Sequence, residues 1–415
     1  MKLSLFGRLT MALLASVALG LGMTACGGGT IGYMWVLGQQ YNQIAGFKID
    51  DYTGNLTTIP NSPFSTGGSV PVSIVVKAGG RFVYVINQGT NGSAAGPGVG
   101  QAITEFAVGG DGTLTYQATY SSLGYVSQWA QMDSSGSFLY VLDKYSPPTA
   151  NGIPVSGPNT DGNGSITVFS SDINTGRLSL VQNSQTLSSA GLNTYFWEVG
   201  SSPFMMKTAG NCLLTVNSAD QSVSPYSIGS GGQLIFPGTG RQPLLTKSVT
   251  SINGTGSYMY ATDSNGGSTT NYIYPFTLGS GCTLTPVTGG AVTNIAGQVN
   301  PTYSLLDNSG KYLYVLNQSN NSTPTSPNSS ISAYTINAVT GQLQVIAGAP
   351  FTVGSGPVCM VEDPSNQYIY ISAHDGTVTG KIIDPTTGNL SGLTRGSTFN
   401  ATGVASCLVL SGAVS

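Results

Sequence analysis

The 415 residues include only 7% Asp, Glu, Lys and Arg but 58 glycines, and an apolar fraction of 40% is enough to bury a large core, which excludes a disordered chain. This balance disfavours extensive helix and favours short strands joined by many turns. A net charge of −3, with 13 basic residues spread thinly, leaves no patch to neutralise phosphates and excludes nucleic acid as a partner.

Lys2 and Arg8 precede an apolar run from Leu9 to Met23, the charged start and short hydrophobic stretch of an export signal, too short to span a bilayer comfortably. The run ends in Met23-Thr24-Ala25-Cys26, which resembles the lipobox of bacterial lipoproteins. That resemblance implies cleavage before Cys26, lipidation of Cys26 and a membrane partner held through the lipid. Gly27 stands where such proteins carry Asp for inner-membrane retention, so the expected place is the cell envelope, lipid-anchored at the outer membrane and facing the periplasm or the cell surface. Residues 1–25 are thus read as signal peptide, 26–30 as a Gly-rich tether and 31–415 as one domain.

From Tyr33 onward one pattern recurs every roughly 50 to 60 residues, a spacing that suits propeller blades. Its first element is an apolar, aromatic strand such as Phe82-Val83-Tyr84-Val85, Tyr312-Leu313-Tyr314-Val315 and Tyr368-Ile369-Tyr370-Ile371; the fourth copy, Cys212-Leu213-Leu214-Thr215, lacks aromatics. A β-branched residue follows, with an aromatic three positions later, as in Ile103 and Phe106. A Leu comes eight or nine residues beyond, preceded by a turn residue: Gly54, Gly112, Gly176, Gly232, Cys282, Gly341 and Gly388. Gly there supplies the positive φ of a tight hairpin. Another short strand precedes each apolar one except the first, and a matching segment, Val404 to Leu410, stands alone at the C-terminus. The expected fold is all-β: a seven-bladed β-propeller with four antiparallel strands per blade, A to D from the axis outward, closed by the C-terminal strand joining blade 1. Of the cysteines in the mature part, Cys212, Cys282, Cys359 and Cys407 are available for disulfides in an oxidising compartment, with the pairing left open.

These repeats, with Tyr314 to Asn317 reading Tyr-Val-Leu-Asn and Thr340 to Leu343 reading Thr-Gly-Gln-Leu, resemble the lactonase-type seven-bladed propellers over nearly all of the mature chain. That family includes cytoplasmic 6-phosphogluconolactonases and a fungal enzyme that cyclises carboxymuconate, and it shades into surface-layer propeller repeats. The resemblance implies His, Arg and Glu side chains converging on the channel. The mature chain has four arginines, Arg81, Arg177, Arg241 and Arg395, and three glutamates, Glu105, Glu198 and Glu362; no segment expected to be innermost contains His. No catalytic residue carries over from the family.

The long B to C loops, 88–101, 144–164, 264–271 and 318–330, project from one face, where recognition is expected. Tyr195-Phe196-Trp197-Glu198 leads into blade 4 on that face. Aromatic planes beside a carboxylate suit a sugar ring, so Trp197, Tyr195, Tyr145 and Trp129 are candidate ligand-binding residues. His374, the single histidine, and Glu198 are candidate general bases. Counts and spacing supply no metal site, no cofactor-binding motif and no nucleophile elbow. Three functions are expected: a lipid-anchored module binding a glycan, a neutral small molecule or a protein; a hydrolase of an uncharged lactone; or an architectural surface repeat.

Overall fold

The structure is a computed structural model that describes residues 29–150, 153–154, 159–187, 193–238, 240–254, 256–318 and 329–412. The export signal and Cys26 lie outside the described residues. Seven antiparallel sheets follow one another, and six begin with their innermost strand in chain order. Blade 1 does not: its inner strand is Ala405–Gly412, which pairs with Thr30–Gly38 through Met34 to Leu410, Trp35 to Val409 and Val36 to Leu408. The tail therefore completes the sheet that the head begins, and the ring has no open edge. The first strand starts at Thr30, one residue inside the expected tether.

The B strands are the most buried segments. Phe82–Asn87, Tyr312–Asn317 and Tyr368–Ala373 are buried at every position. Each blade is covered on both faces by its neighbours, so its central strand reads as a continuous apolar run rather than as an alternation. The D strands depart from expectation. In blade 1 the D strand is split into Leu56–Thr58 and Phe64–Ser65, both pairing with the same C strand, Gln43–Asp50. Blade 3 repeats the split with Leu178–Leu180 and Phe196–Ser201. The peptide before blade 4 is thus partly an outer strand rather than a free connection.

Adjacent blades meet through one recurring contact. The Gly of each C to D turn packs on the aromatic that opens strand B of the preceding blade: Gly54 on Tyr368, Gly112 on Tyr33, Gly176 on Phe82, Gly232 on Phe138, Gly341 on Tyr258 and Gly388 on Tyr312. The aromatic two residues on donates to that glycine's carbonyl. Tyr140 Oη reaches Gly232 O at 3.2 Å, Tyr260 Oη reaches Gly341 O at 3.0 Å, Tyr314 Oη reaches Gly388 O at 2.9 Å and Trp35 Nε1 reaches Gly112 O at 3.1 Å. The same bond joins Tyr84 to Gly176 and Tyr370 to Gly54. At the seventh junction both partners are missing, and a Cys212–Cys282 disulfide takes their place between blades 4 and 5. Cys359 and Cys407 are unpaired and buried, at matching positions on the inner strands of blades 7 and 1.

Gly341 has φ of 70°, and a Cβ there would lie 2.3 Å from the Tyr258 ring. Gly341→Ala combines left-handed strain with overpacking, so it should cost about 3 kcal/mol of unfolding free energy in a denaturant titration. A loss below about 1 kcal/mol would show that the turn does not bear on the ring.

Candidate functional site

Strand A is the innermost strand of every blade, so the opening its side chains meet is the axial channel. The backbone starts each strand in the same way: Pro71, Pro203, Pro301 and Pro357 pair with the last residue of strand B, the next residue bulges out, and pairing resumes one residue later. Residues at the second and fifth positions are half-buried in nearly every blade, whereas the fourth is fully enclosed. The second and fifth positions therefore line the channel.

The entrance is built from the residue that follows the last buried position of strand B. One comes from each blade: Gln39, Gln88, Lys144, Ser218, Ser264, Gln318 and His374, all half-buried. Backbone bonds set them beside the start of strand A. Gln88 N donates to Val70 O at 2.9 Å, Gln318 N to Asn300 O at 3.1 Å and His374 N to Gly356 O at 2.8 Å. Three primary amides, two hydroxyls, one ammonium and one imidazole thus ring the mouth.

Beneath this ring the end of strand B carries Asn or Asp in blades 2 to 6, and in blades 2, 3, 5 and 6 that side chain ties down the D to A connection, whereas Asn217 of blade 4 bonds its own strand C. Asp263 accepts from Ser248 N at 2.8 Å and Lys247 N at 3.1 Å; Asn317 accepts from Asn294 Nδ2 at 2.8 Å. Asp143 accepts from Ser122 Oγ and Ser127 Oγ, both at 2.7 Å, and from Gly124 N at 3.2 Å. Burial pushes the Asp143 carboxyl up to about 6 despite those donors.

The residues singled out from the sequence are dispersed. His374 sits in the entrance ring with no hydrogen-bond partner for its imidazole among the described residues; burial holds it below the usual 6.5, with Asp375 opposing. Glu198 is exposed on the outer strand of blade 3, paired with Ser165, and is shifted upward first by desolvation and then by Asp161. Three blades lie between the two residues on one side and two on the other, so they do not form a pair. Trp197 is core: 3% exposed, with its Nε1 donating to Leu234 O at 2.7 Å, it fills the junction of blades 3 and 4 and has no free face for a sugar. Tyr195 beside it is 40% exposed. Tyr145 stands next to the mouth, with the Lys144 ammonium 5.5 Å from its ring centre. Trp129 occupies the third position of strand A in blade 3, packed toward blade 4, and its indole N–H has no partner among the described residues. Lys144 and Lys207 were not singled out. Their signal was their offset from strand B, which a search for His, Arg and Glu passes over.

With this geometry in place, the family model described as lactonase, 7-bladed beta-propeller matches residues 30–151 and 273–405. The chain belongs to that family. The unmatched middle of this lactonase-family chain holds Cys212, where the aromatic lock is replaced. Solved structures share the fold at low identity. A candidate 6-phosphogluconolactonase from Bacteroides fragilis is 16% identical with a TM-score of 0.66, covering 92% of this chain and 98% of that one. The periplasmic gluconolactonase of Pseudomonas aeruginosa is 15% identical with a TM-score of 0.65, over 92% and 99%. A Lactobacillus plantarum protein is 14% identical with a TM-score of 0.66, over 92% and 100%. No curated protein matches the sequence.

Asp143 holds a proton in the folded state that the unfolded chain releases near pH 4, so its contribution to stability is present below that pH and is lost as pH climbs to about 6. Urea titrations from pH 4 to 7 should show a component of about 2 kcal/mol lost across that window and absent in Asp143→Asn. Identical profiles for the two proteins would refute this assignment.

Proposed function

We propose that this lactonase-family propeller is an exported, lipid-anchored binding module that holds an uncharged, hydroxyl-rich ligand, such as a glycan end, at its channel entrance. The observation that carries this reading is the entrance ring itself. Its amides and hydroxyls donate and accept in several directions, which suits sugar hydroxyls, and it contains neither a carboxylate nor an arginine with which to run acid chemistry or clamp a phosphate. Gln88 Nε2 already spans toward blade 3, donating to Ser127 O at 3.4 Å. Tyr145 adds an aromatic surface beside the mouth. Export is supported by the signal pattern ending at Cys26 and by the Cys212–Cys282 disulfide, which belongs to an oxidising compartment.

A second reading, hydrolysis of an uncharged lactone, rests on His374. An imidazole held below its usual titration range is neutral at pH 7, and with no partner among the described residues it is placed to take a proton from a water attacking a lactone carbonyl.

One pair of measurements separates the readings. The binding reading expects saturable heats with neutral oligosaccharides, weakened at least tenfold in the Gln88→Ala, Gln318→Ala double variant, and glucono-δ-lactone opening no faster than in buffer. Ring opening well above background that falls about 100-fold in His374→Ala would instead establish the hydrolase.

A further inference from the structure

Deeper than the entrance, at the fifth position of strand A, the channel wall divides into two halves. Blades 3, 4 and 5 place Gln131, Lys207 and Asn253 there, side by side. Blades 6, 7, 1 and 2 place an aliphatic side chain from each, among them Leu305 and Val361. Lys207 is the one charged residue at either channel-lining position among the seven strands.

Its surroundings offer it no counterion. Strand B of its own blade, Cys212–Asn217, contributes no ionisable side chain once Cys212 is in the disulfide. Strand A of blade 5, Val249–Gly254, has none, and strand A of blade 3, Tyr125–Met132, has only Tyr125 at its far, entrance end. Among the described residues no hydrogen bond or ion pair engages the ammonium. Gln131 Nε2 donates to Met132 O at 3.2 Å, which leaves its amide oxygen open; Asn253 is buried and turned toward blade 6, its Nδ2 donating to Ser304 O at 2.7 Å and its Oδ1 accepting from Gly254 N at 2.8 Å. Desolvation alone pulls Lys207 down to about 8, so the ammonium is held at a cost that no group among the described residues offsets. An unpaired cation beside the Gln131 amide and facing an aliphatic wall is complementary to an anion with an apolar body.

We propose that this level of the channel binds a small monocarboxylate, its carboxylate on Lys207 and its apolar tail against the aliphatic half. The site lies below the entrance ring and does not depend on what the ring recognises. It is a binding site, with no bond made or broken.

Titration calorimetry with hexanoate and its uncharged counterpart, hexanamide, tests it on the purified protein at pH 7. Hexanoate should bind saturably with one site per chain, and hexanamide at least tenfold more weakly. Lys207→Met should lose at least tenfold in hexanoate affinity while melting no lower than the parent, because an unpaired buried charge has been removed. Raising the pH from 7 to 9 should weaken hexanoate on the parent as Lys207 deprotonates and leave Lys207→Met unchanged. Should the Met variant fail to fold, Lys207→Gln is read by the same titration. Equal binding of acid and amide, equal hexanoate affinity in the variant, or no saturable binding to the parent would overturn the proposal.

Discussion

The ring stands on the contact between each C to D turn and the aromatic pair of the blade before it. Blades that bury both faces have no independent core, and the hydrophobic clusters accordingly run across junctions rather than within sheets: one gathers Phe82, Leu139 and Leu178, another Tyr312, Met360 and Leu390. Apolar packing of this kind does not by itself fix the angle between neighbours. The Gly carbonyl and the Tyr or Trp donor do, because a directional bond inside a dry interface is costly to leave unmade. Six junctions use that device, and the seventh substitutes a covalent bond at the same two places. The tail strand then closes the circle, so each junction bears on every other.

This scaffold leaves the channel free to vary. Strand A must pair with strand B and enclose its fourth position, but the second and fifth positions face the axis, and the residue after strand B is fixed only by its backbone. Those places carry the chemistry of the molecule: glutamines, serines, Lys144 and His374 at the mouth, and one lysine beside the Gln131 amide on half of the wall beneath. Family membership accounts for the circle of strands, and the lining sets what enters it.

Much of the circle was legible in the residues. The spacing of Tyr-x-Tyr strands and turn glycines gave the blade count, and the solitary apolar segment after Val404 gave the closure. The fourth and fifth repeats marked the exception, with Cys212 standing where the other repeats have an aromatic and Cys282 where they have glycine; what hid the pairing was that the two lie in different repeats, and only the curvature of the ring brings them together. The D strands were harder to read, because residues such as Leu56 and Phe64 pair with one C strand across a kink that no periodicity reveals. Trp197 looked like a ligand platform because aromatic residues stand there beside the carboxylate of Glu198, yet Phe196 and Trp197 are both buried, and the Trp197 indole is held in the blade junction by its bond to Leu234 O. Lys207 carries no such signal: a single lysine near the end of an apolar strand is marked as channel-lining only by its register on strand B.

The most direct test of the account exchanges one kind of lock for the other. Cys212→Tyr and Leu214→Tyr with Cys282→Gly rebuild at the junction of blades 4 and 5 the contact used at the other six, and the melting temperature of this exchange is compared with the parent and with a Cys212→Ser, Cys282→Ser variant, with and without reductant. The account expects the Tyr and Gly exchange to melt well above the serine variant and to be indifferent to reductant, while the parent drops toward the serine variant when reduced. If the exchange melts no higher than the serine variant, the recurring contact is incidental and the ring is held by apolar packing alone.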